Sequence, residues 1–261
     1  TRPAREITDW TAPAGRGIVR ERDMISSLTF HSGYPIKLRG IGTRRIELNP
    51  RLNVLYGPNG SGKSTILRAL ATATGCASGG WSLDPDAVGY DPGGEAWTNE
   101  RSVEIAPPPF AATVKWDGLP VFFQDCYANS EESFLGGDYL DRHAHLRSTG
   151  EKRIGLVNEL INFIEDRFPT YRLPRAARPT ILLDEVDNHI GAAAQSVFWE
   201  EIVAELCKKY QLVISSHSLF PILLQRNNSL RQDTVLVLEP GYDEICLTQL
   251  GLAIDYYNRQ G

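Results

Sequence analysis

Four residues of the chain, Gly57, Gly62, Lys63 and Ser64, have the spacing G-x-x-x-x-G-K-[ST] of a phosphate-binding loop. Glycines let successive backbone N–H groups turn toward phosphate oxygens, and a helix that begins directly after the loop adds positive potential. The lysine suits the β and γ phosphates, and the serine hydroxyl suits Mg²⁺. The pattern therefore predicts a loop that binds a nucleoside triphosphate through nine residues, namely Gly57, Pro58, Asn59, Gly60, Ser61, Gly62, Lys63, Ser64 and Thr65.

The flanks of this loop have the order that the motif requires. Residues 51–56 form an apolar run that predicts a buried strand, and residues 66–74 predict a helix. Gly75 stands where a left-handed residue would end that helix. The alternative is a glycine-rich turn with an accidental lysine, and the strand–loop–helix context favours the phosphate loop over it.

Two carboxylates follow a second apolar run, in the stretch ILLDEVDNHI at residues 181–190. The ends of strands in parallel sheets face the ligand crevice, so we expect both carboxylates near the loop. Asp184 is suited to hold Mg²⁺, which prefers oxygen ligands. Glu185 is suited to polarise the attacking water as a general base. The alternative for both is a solvated acidic turn.

Polar side chains also end two other apolar runs. His217, in LVISSHS, would hydrogen-bond the γ-phosphate, and the alternative is a structural histidine. Gln124, in FFQDC, carries an amide that would reach both Mg²⁺ and the attacking water. Its alternative is a polar residue that merely ends a strand.

The stretch LRSTGEKR, at residues 146–153, precedes an amphipathic pattern. Ser148 is a good helix N-cap, and Glu151 three residues later completes a capping box. That structural role suffices to explain the pattern. The functional interpretation is that the Ser148 hydroxyl and the Gly150 amide bind the far end of a phosphate chain.

Apolar periodicity indicates which elements position these residues. Alternation of strands with helices around the loop predicts an α/β fold with a mainly parallel central sheet and an antiparallel β subdomain. Helices are predicted at residues 151–168 and 192–209. Strands are predicted within residues 28–48 and at 101–106, 180–183 and 212–215, with a hairpin at 111–124 that turns at 116–118 and a terminal β segment beginning at 234–238.

Composition narrows the function classes. The net charge of −5 gives no global basic field for nucleic acid, although local patches remain possible. The four cysteines have no C-x-x-C spacing, which argues against a zinc site or a disulfide framework and favours reduced thiols. No signal peptide or membrane-spanning run is evident, so a cytoplasmic protein is expected. Residues 1–27 form an Arg-rich arm, interpreted as a solvated tail or a dock for an acidic partner.

Taken in order, GPNGSGKST, Gln124, STGE, ILLDEVD and SSHS resemble the ABC-type ATPase head, and within it the Rad50, SMC and RecF-like branch. That branch favours S-x-G-E and "DEVD" over the transporter patterns S-G-G-Q and "DEP". Size and layout look most like small stand-alone ATPases described as predicted AAA or ABC-like ATPases. The resemblance covers about residues 28–240 and implies one ATPase domain over residues 28–261, with a short signature-helix region at 125–168.

This resemblance implies ATP and Mg²⁺ as ligands, ATP hydrolysis as the activity, and a homodimer packed head to tail. It implies that each nucleotide is bound by one copy of the chain through its phosphate loop, including Lys63 and Ser64. The same copy contributes Gln124, Asp184, Glu185 and His217, which therefore act in cis. Ser148 and Gly150 act in trans from the second copy. ATP would then join two heads and hydrolysis would release them, as a switch in a nucleic-acid-linked process such as DNA repair, phage defence or phage replication, with an unidentified protein partner.

Two departures from the family pattern bear on that expectation. Gly191 stands where relatives usually carry an aspartate that couples the two sites. Ser148 follows Gln124 by only 24 positions, which leaves little room for the helical subdomain of transporter heads. One alternative is a transporter ATP-binding subunit, against which this short spacing argues. The other is a regulatory module that binds ATP but hydrolyses it weakly, against which the presence of Glu185 argues. For the adenine, Tyr34, Arg44 and Arg45 are the candidate stacking residues.

Overall fold

The computed structural model describes residues 24–76, 80–81, 101–107, 109–125, 161–162, 164–166, 178–188 and 190–260. Within these ranges, the strands are β1 (Ile25–Gly33), β2 (Arg45–Glu47), β3 (Leu52–Tyr56), β4 (Gly80–Trp81), β5 (Arg101–Ile105), β6 (Phe110–Trp116), β7 (Val121–Asp125), β8 (Thr180–Asp184), β9 (Gln211–Ser216) and β10 (Val235–Val237). The helices are α1 (Lys63–Thr74), α2 (Ala192–Val197), α3 (Val203–Lys209), α4 (Phe220–Arg226) and α5 (Tyr242–Gln260). A π-helical turn, Phe198–Ile202, joins α2 to α3, and a 3₁₀ turn, Tyr34–Lys37, follows β1.

The larger sheet has six strands in the order β10-β3-β9-β8-β7-β4. All neighbours pair in parallel except β4 and β7, which are antiparallel. Every residue of β3, β8 and β9 is buried. Strands covered on both faces are typical of parallel sheets and explain the apolar runs inside them, such as ILL in β8 and LVI in β9. The predicted mainly parallel α/β sheet is confirmed.

The smaller sheet is antiparallel, with the order β2-β1-β6-β5. Residues of β6 alternate between buried and half-buried, so this sheet turns one face to the core. This confirms the predicted antiparallel β subdomain and the strands expected within residues 28–48 and at 101–106.

Helix α1 lies between the two sheets. Its residues Ile66, Leu67 and Leu70 belong to a core cluster that also contains Leu28 of the antiparallel sheet and Leu182 of the parallel sheet. A second cluster, which includes Trp199 and Val203, covers the opposite face of the parallel sheet. The phosphate loop therefore connects β3 of the parallel sheet to a helix that packs between the two sheets. Gly75 ends α1 with φ 71° and ψ 21°, as predicted.

The predicted hairpin at residues 111–124 is wrong. Strand β6 pairs with β1 and β5, whereas β7 pairs with β8 and β4 in the other sheet. The connection does turn after Trp116, but its indole N–H donates to the Leu119 carbonyl (2.9 Å), and the Leu119 N–H donates to Asp117 Oδ1 (2.9 Å). These local bonds satisfy a connection that passes between sheets rather than one that folds back.

The C-terminal region also differs from the prediction. The β segment expected at residues 234–238 is the short strand β10, and the 19-residue helix α5 follows it. Helix α5 was not predicted from the sequence because much of its surface is exposed, although Tyr242 and Leu247 pack against the core. No helix within the described residues has the length and apolar character needed to cross a membrane.

Several other predictions lie outside the described residues. These are residues 1–23 of the arm predicted at 1–27, the positions of Ser148 and Gly150, and most of the helix expected at 151–168. The end of that arm was predicted wrongly, because β1 begins at Ile25. Of that helix, residues 161–162 and 164–166 are described and are helical.

Candidate functional site

The loop between β3 and α1 is shaped by its glycines. Gly62 has φ 107°, and a Cβ placed there would lie 2.6 Å from Ile41 Cδ1. At Gly57, a Cβ would lie 2.8 Å from Ser61 Oγ. A side chain at Gly62 would be both strained and obstructed, which explains why the turn into the helix needs glycine at this position.

The Lys63 side chain crosses this loop. Its ammonium group donates to the carbonyls of Gly57 (3.0 Å) and Pro58 (3.3 Å). The same nitrogen lies 3.0 Å from His217 Nε2 and 3.8 Å from Glu185 Oε1. The lysine is only 4% exposed, so the loop holds a buried cation where the phosphate chain is expected.

Two serines converge on Asp184. The Ser64 hydroxyl donates to Asp184 Oδ1 (3.1 Å), and the Ser215 hydroxyl donates to the same oxygen. Within the described part of the chain, Asp184 Oδ2 is buried without a hydrogen-bond partner. A carboxylate oxygen left over beside a serine hydroxyl is a donor set that fits Mg²⁺, which binds oxygen ligands.

Glu185 is held in an uncommon backbone conformation, with φ 52°. Its N–H lies 3.1 Å from the Ser215 carbonyl oxygen and 3.0 Å from the Ser215 hydroxyl oxygen. One carboxylate oxygen lies 3.0 Å from His217 Nε2, and the other accepts from the Asn188 amide (3.2 Å). Such strained positions cluster at functional sites and persist when surrounding bonds fix them, as they do here.

Burial governs the charges of this cluster. It lowers the pKa of Lys63, although Glu185 and Asp184 act in the opposite direction. Burial and the neighbouring Lys63 lower the pKa of His217, which favours a neutral imidazole. Burial also raises the pKa of Asp184, while the two serine hydroxyls oppose that rise. Each charge therefore gains from a ligand of opposite sign.

A pocket opens over the loop, and its lining includes Lys63, Ser64, Glu185 and Tyr34. The Tyr34 ring is 48% exposed, and its hydroxyl lies 3.4 Å from Thr65 Oγ1. The two arginines considered for the base are engaged elsewhere. Arg44 donates to the Gly40 carbonyl (2.6 Å), and Arg45 pairs with Glu47 (2.6 Å).

Gln124 lies near the end of β7, the strand beside β8. Strand β7 continues to Asp125, and Gln124 is in register with Leu183, one residue before Asp184. Because side chains alternate along a strand, Gln124 lies on the face opposite to Asp184 and is buried there, 2% exposed. The contact of Gln124 with Mg²⁺ and the attacking water stays a prediction.

Two partners in the site, Ser215 and Asn188, were not predicted from the sequence. Ser215 is opposite Asp184 in the register of β9 with β8, so the pairing of those strands brings the hydroxyl to the carboxylate. Asn188 follows Glu185 by three residues and caps its carboxylate across a turn. Both residues are polar and lie within the stretches ILLDEVDNHI and LVISSHS, which was the available indication in the sequence. The order of the strands is needed to show which polar residues meet.

Strand β3, the glycine loop and helix α1 thus lie beside the carboxyl end of β8 in a mainly parallel sheet. The chain has the P-loop NTPase fold. Residues 36–103 match the family model described as an AAA domain.

Similar proteins have related descriptions. The vitamin B12 import ATP-binding protein BtuD of Shigella boydii is 29% identical over 216 residues, which cover 77% of this chain and 80% of that protein. Proteins of the same name from Salmonella heidelberg and Salmonella typhi are 31% identical over 175 residues, which cover 63% of this chain and 66% of theirs. These matches support an ATP-binding P-loop ATPase domain of the ABC type.

Proposed function

We propose that the protein is a Mg²⁺-dependent ATPase in which two copies of the chain, packed head to tail, bind and hydrolyse ATP. The observation that carries this proposal is the convergence of Lys63, Ser64, Asp184, Glu185 and His217 on one loop. These residues come from α1, β8 and the end of β9, so three parts of the chain contribute to one site.

The phosphates would lie along Gly57 to Thr65, with the backbone N–H groups directed at their oxygens. Lys63 now donates to two loop carbonyls and contacts His217. A γ-phosphate offers the ammonium anionic acceptors, which bind it more strongly than neutral carbonyls. Binding of ATP would therefore pull Lys63 away from His217.

Ser64 and Asp184 would hold Mg²⁺, through the serine hydroxyl and the unpartnered Asp184 Oδ2. When bound, the ion neutralises charge that develops on the phosphate oxygens.

Glu185 would act as the general base for the attacking water. His217 and Asn188 fix its two oxygens, so the carboxylate is oriented before the substrate arrives. Once Lys63 has moved to the γ-phosphate, the single Nε2–H of a neutral His217 would be shared between Glu185 Oε1 and a γ-phosphate oxygen. Tyr34, exposed at the mouth of the pocket, is the best-placed stacking partner for adenine.

The trans half of the site is the predicted contribution of Ser148 and Gly150 from the second copy. Gly191, in the place of a coupling aspartate, is the N-cap of α2, and its backbone carbonyl accepts from Ala194 and Gln195. We propose that the two sites of the dimer are therefore weakly coupled, and that ATP serves mainly to join and release the heads.

For the biological role, we propose a switch in a nucleic-acid-linked process, on the resemblance of STGE and DEVD to the Rad50, SMC and RecF-like branch. The second candidate is an ATP-binding subunit of an importer, and the names of the similar proteins favour it. Stimulation of ATP turnover by DNA would support the first role. Recovery of the protein with a membrane complex, without any effect of DNA, would support the second.

Turnover tests the chemistry. Glu185→Gln should lower the rate of ATP hydrolysis by about 100-fold or more, since a general base contributes about 10²–10⁴-fold. Glu104→Gln, the same change on an exposed strand of the antiparallel sheet, is the matched control and should keep the wild-type rate. Equal rates for the Glu185→Gln variant and the wild type would contradict the assignment of the base. A wild type that binds ATP without turnover would instead favour the regulatory module.

A further inference from the structure

A closed ring of hydrogen bonds includes the residues on both sides of His217. It starts at Asp187, a carboxylate that is 2% exposed and follows Glu185 by two residues. Asp187 Oδ2 accepts from the Ser216 hydroxyl (2.6 Å) and from the Trp199 indole N–H (3.1 Å). A buried carboxylate with two donors is a rigid anchor, because an ionised acceptor makes stronger bonds than a neutral one.

The ring continues through the residues on both sides of the histidine. Ser216 Oγ accepts from the Ser218 N–H (2.8 Å), and the Ser218 hydroxyl donates to Gln195 Oε1 (2.8 Å). The Gln195 amide returns to the Asp187 carbonyl (3.3 Å). The backbone on either side of His217 is thus tied to Asp187 by two routes.

Trp199 also fixes the Asp187 carboxylate, through its indole N–H. It lies in the π-helical turn Phe198–Ile202, where two consecutive residues, Phe198 and Trp199, are both 1% exposed. A π turn inside a helix is rare and is found frequently at functional sites. Here it occurs where both consecutive side chains are directed into the core and the indole N–H reaches Asp187.

We infer that Asp187 is a positioning residue for His217, which it holds in place against Glu185 and the loop through Ser216 and Ser218. This inference rests on the proposed ATPase function. It is separate from the roles of Glu185 and Asp184, because Asp187 bonds the serines beside His217 and is not among the residues that line the pocket over the loop, which include Glu185. A displacement of about 1 Å at a catalytic group can cost on the order of 100-fold in rate.

The direct test is Asp187→Asn, which keeps the shape but removes the charge that orders both donors. We expect kcat for ATP to fall about tenfold or more, with the KM and the Kd for ATP within about twofold of wild type. The matched control is Asp117→Asn, at a buried aspartate in the connection from β6 to β7. The control should leave kcat unchanged. A wild-type kcat for Asp187→Asn would overturn the inference.

A double-mutant cycle separates positioning from a general loss of structure. If Asp187 acts through His217, Asp187→Asn should cause no further loss of kcat in a His217→Ala background. Losses that multiply would overturn the inference. If Asp187→Asn does not fold, Ser216→Ala, which removes one hydroxyl of the ring, replaces it in this cycle. No further loss of kcat in the His217→Ala background would then support the inference, and losses that multiply would overturn it.

A measurement that does not depend on ATP turnover distinguishes this inference from the function on which it rests. Wild-type protein without hydrolysis would contradict the proposed function alone. The NMR signals of the His217 imidazole would still report its position. They should shift in Asp187→Asn or Ser216→Ala and stay in place in Asp117→Asn. Unshifted signals in both ring variants would overturn the positioning role.

Discussion

The two sheets of this protein use polar residues in different ways. In the parallel sheet, β3, β8 and β9 are buried along their whole length, and the reactive groups come directly after or at their ends. In the antiparallel sheet, β6 alternates, and polar residues are spread along an accessible face. When both faces of a sheet are covered, only strand ends and loops reach a ligand, so a polar side chain there carries more information about function.

Two hydroxyl groups illustrate the difference. Ser215, which is fully buried, donates to the buried Asp184 and ties β9 to β8. Thr113 on β6 donates to Glu104 (2.8 Å) and lies 2.6 Å from His31 Nε2, in a solvent-exposed group. The two groups make similar contacts, but burial makes the loss of the first far more costly than the loss of the second.

The largest expected effect is on the lysine of the parallel-sheet site. Lys63→Ala should abolish ATP binding, with a Kd raised by more than about 100-fold, because a buried charge that binds phosphate is worth several kcal/mol. Isothermal titration with ATP measures this change. Lys115→Ala, on β6 of the antiparallel sheet, should bind ATP as the wild type does. Similar losses of ATP affinity in both variants would contradict the proposal that ATP binds at the parallel sheet and not at the antiparallel one.

The serine and threonine hydroxyls give the next largest effect. Ser215→Ala should raise the Mg²⁺ concentration needed for half-maximal turnover by about tenfold, since a lost hydrogen bond to a charged group costs about 1.5–3 kcal/mol. Thr113→Val should leave it unchanged. Magnesium titrations of ATP turnover compare the two. An unaltered requirement in Ser215→Ala would show that Asp184 does not depend on this hydroxyl.

The buried Asp187 should make stability depend on pH. Burial raises its pKa from 3.8 to about 6, with the nearby Glu185 acting in the same direction, while Ser216 and Trp199 oppose the rise. Because the folded state keeps a proton that the unfolded state loses, this stabilisation is complete below about pH 4 and is lost as the pH rises through about 6.

Asp187→Asn lacks this titration, so its free energy of unfolding should gain on that of the wild type between pH 4 and 6. The expected slope of the difference is about 1.4 kcal/mol per pH unit at most. Urea unfolding at several pH values measures it. Parallel curves for the two proteins would contradict the raised pKa.

The smallest effect is expected where the antiparallel sheet approaches the loop. Tyr34 begins the turn after β1 and contacts Thr65. Tyr34→Ala should raise the Kd for ATP about fivefold, in keeping with about 1 kcal/mol for an aromatic contact. Arg45→Ala, which breaks an exposed pair with Glu47, should leave it unchanged. The reverse ranking, from titration with ATP, would assign the base contact to the arginine.

The strands of the parallel sheet, and the site residues that follow them, could be predicted from the sequence because these strands are buried along their whole length. Each of the runs before Gly57, Asp184 and His217 is apolar on both faces and ends abruptly in polar residues, so strand and site are visible together. Gly75 was predictable because its left-handed cap depends on local conformation alone. The same local rules failed at residues 111–124, where two neighbouring runs belong to different sheets.

The remaining features depend on which strands are neighbours. Asp184 meets Ser215 across 31 residues, and Asp187 meets Ser216 across 29. The face occupied by Gln124 follows from its register with β8 and from the extra residue that lengthens β7. Periodicity along one strand fixes neither the neighbour nor the register. Helix α5 was missed because much of its length is exposed and shows no clear apolar stripe.

The proposed mechanism requires a nucleotide enclosed by two copies of the chain. Light scattering of the Glu185→Gln variant gives its molar mass with and without Mg-ATP. We predict the mass of a monomer, 29.0 kDa, without nucleotide and twice that mass with saturating Mg-ATP. The combined variant with Lys63→Ala should stay monomeric in both conditions. A Glu185→Gln protein that binds ATP and keeps the mass of one chain would contradict the shared site.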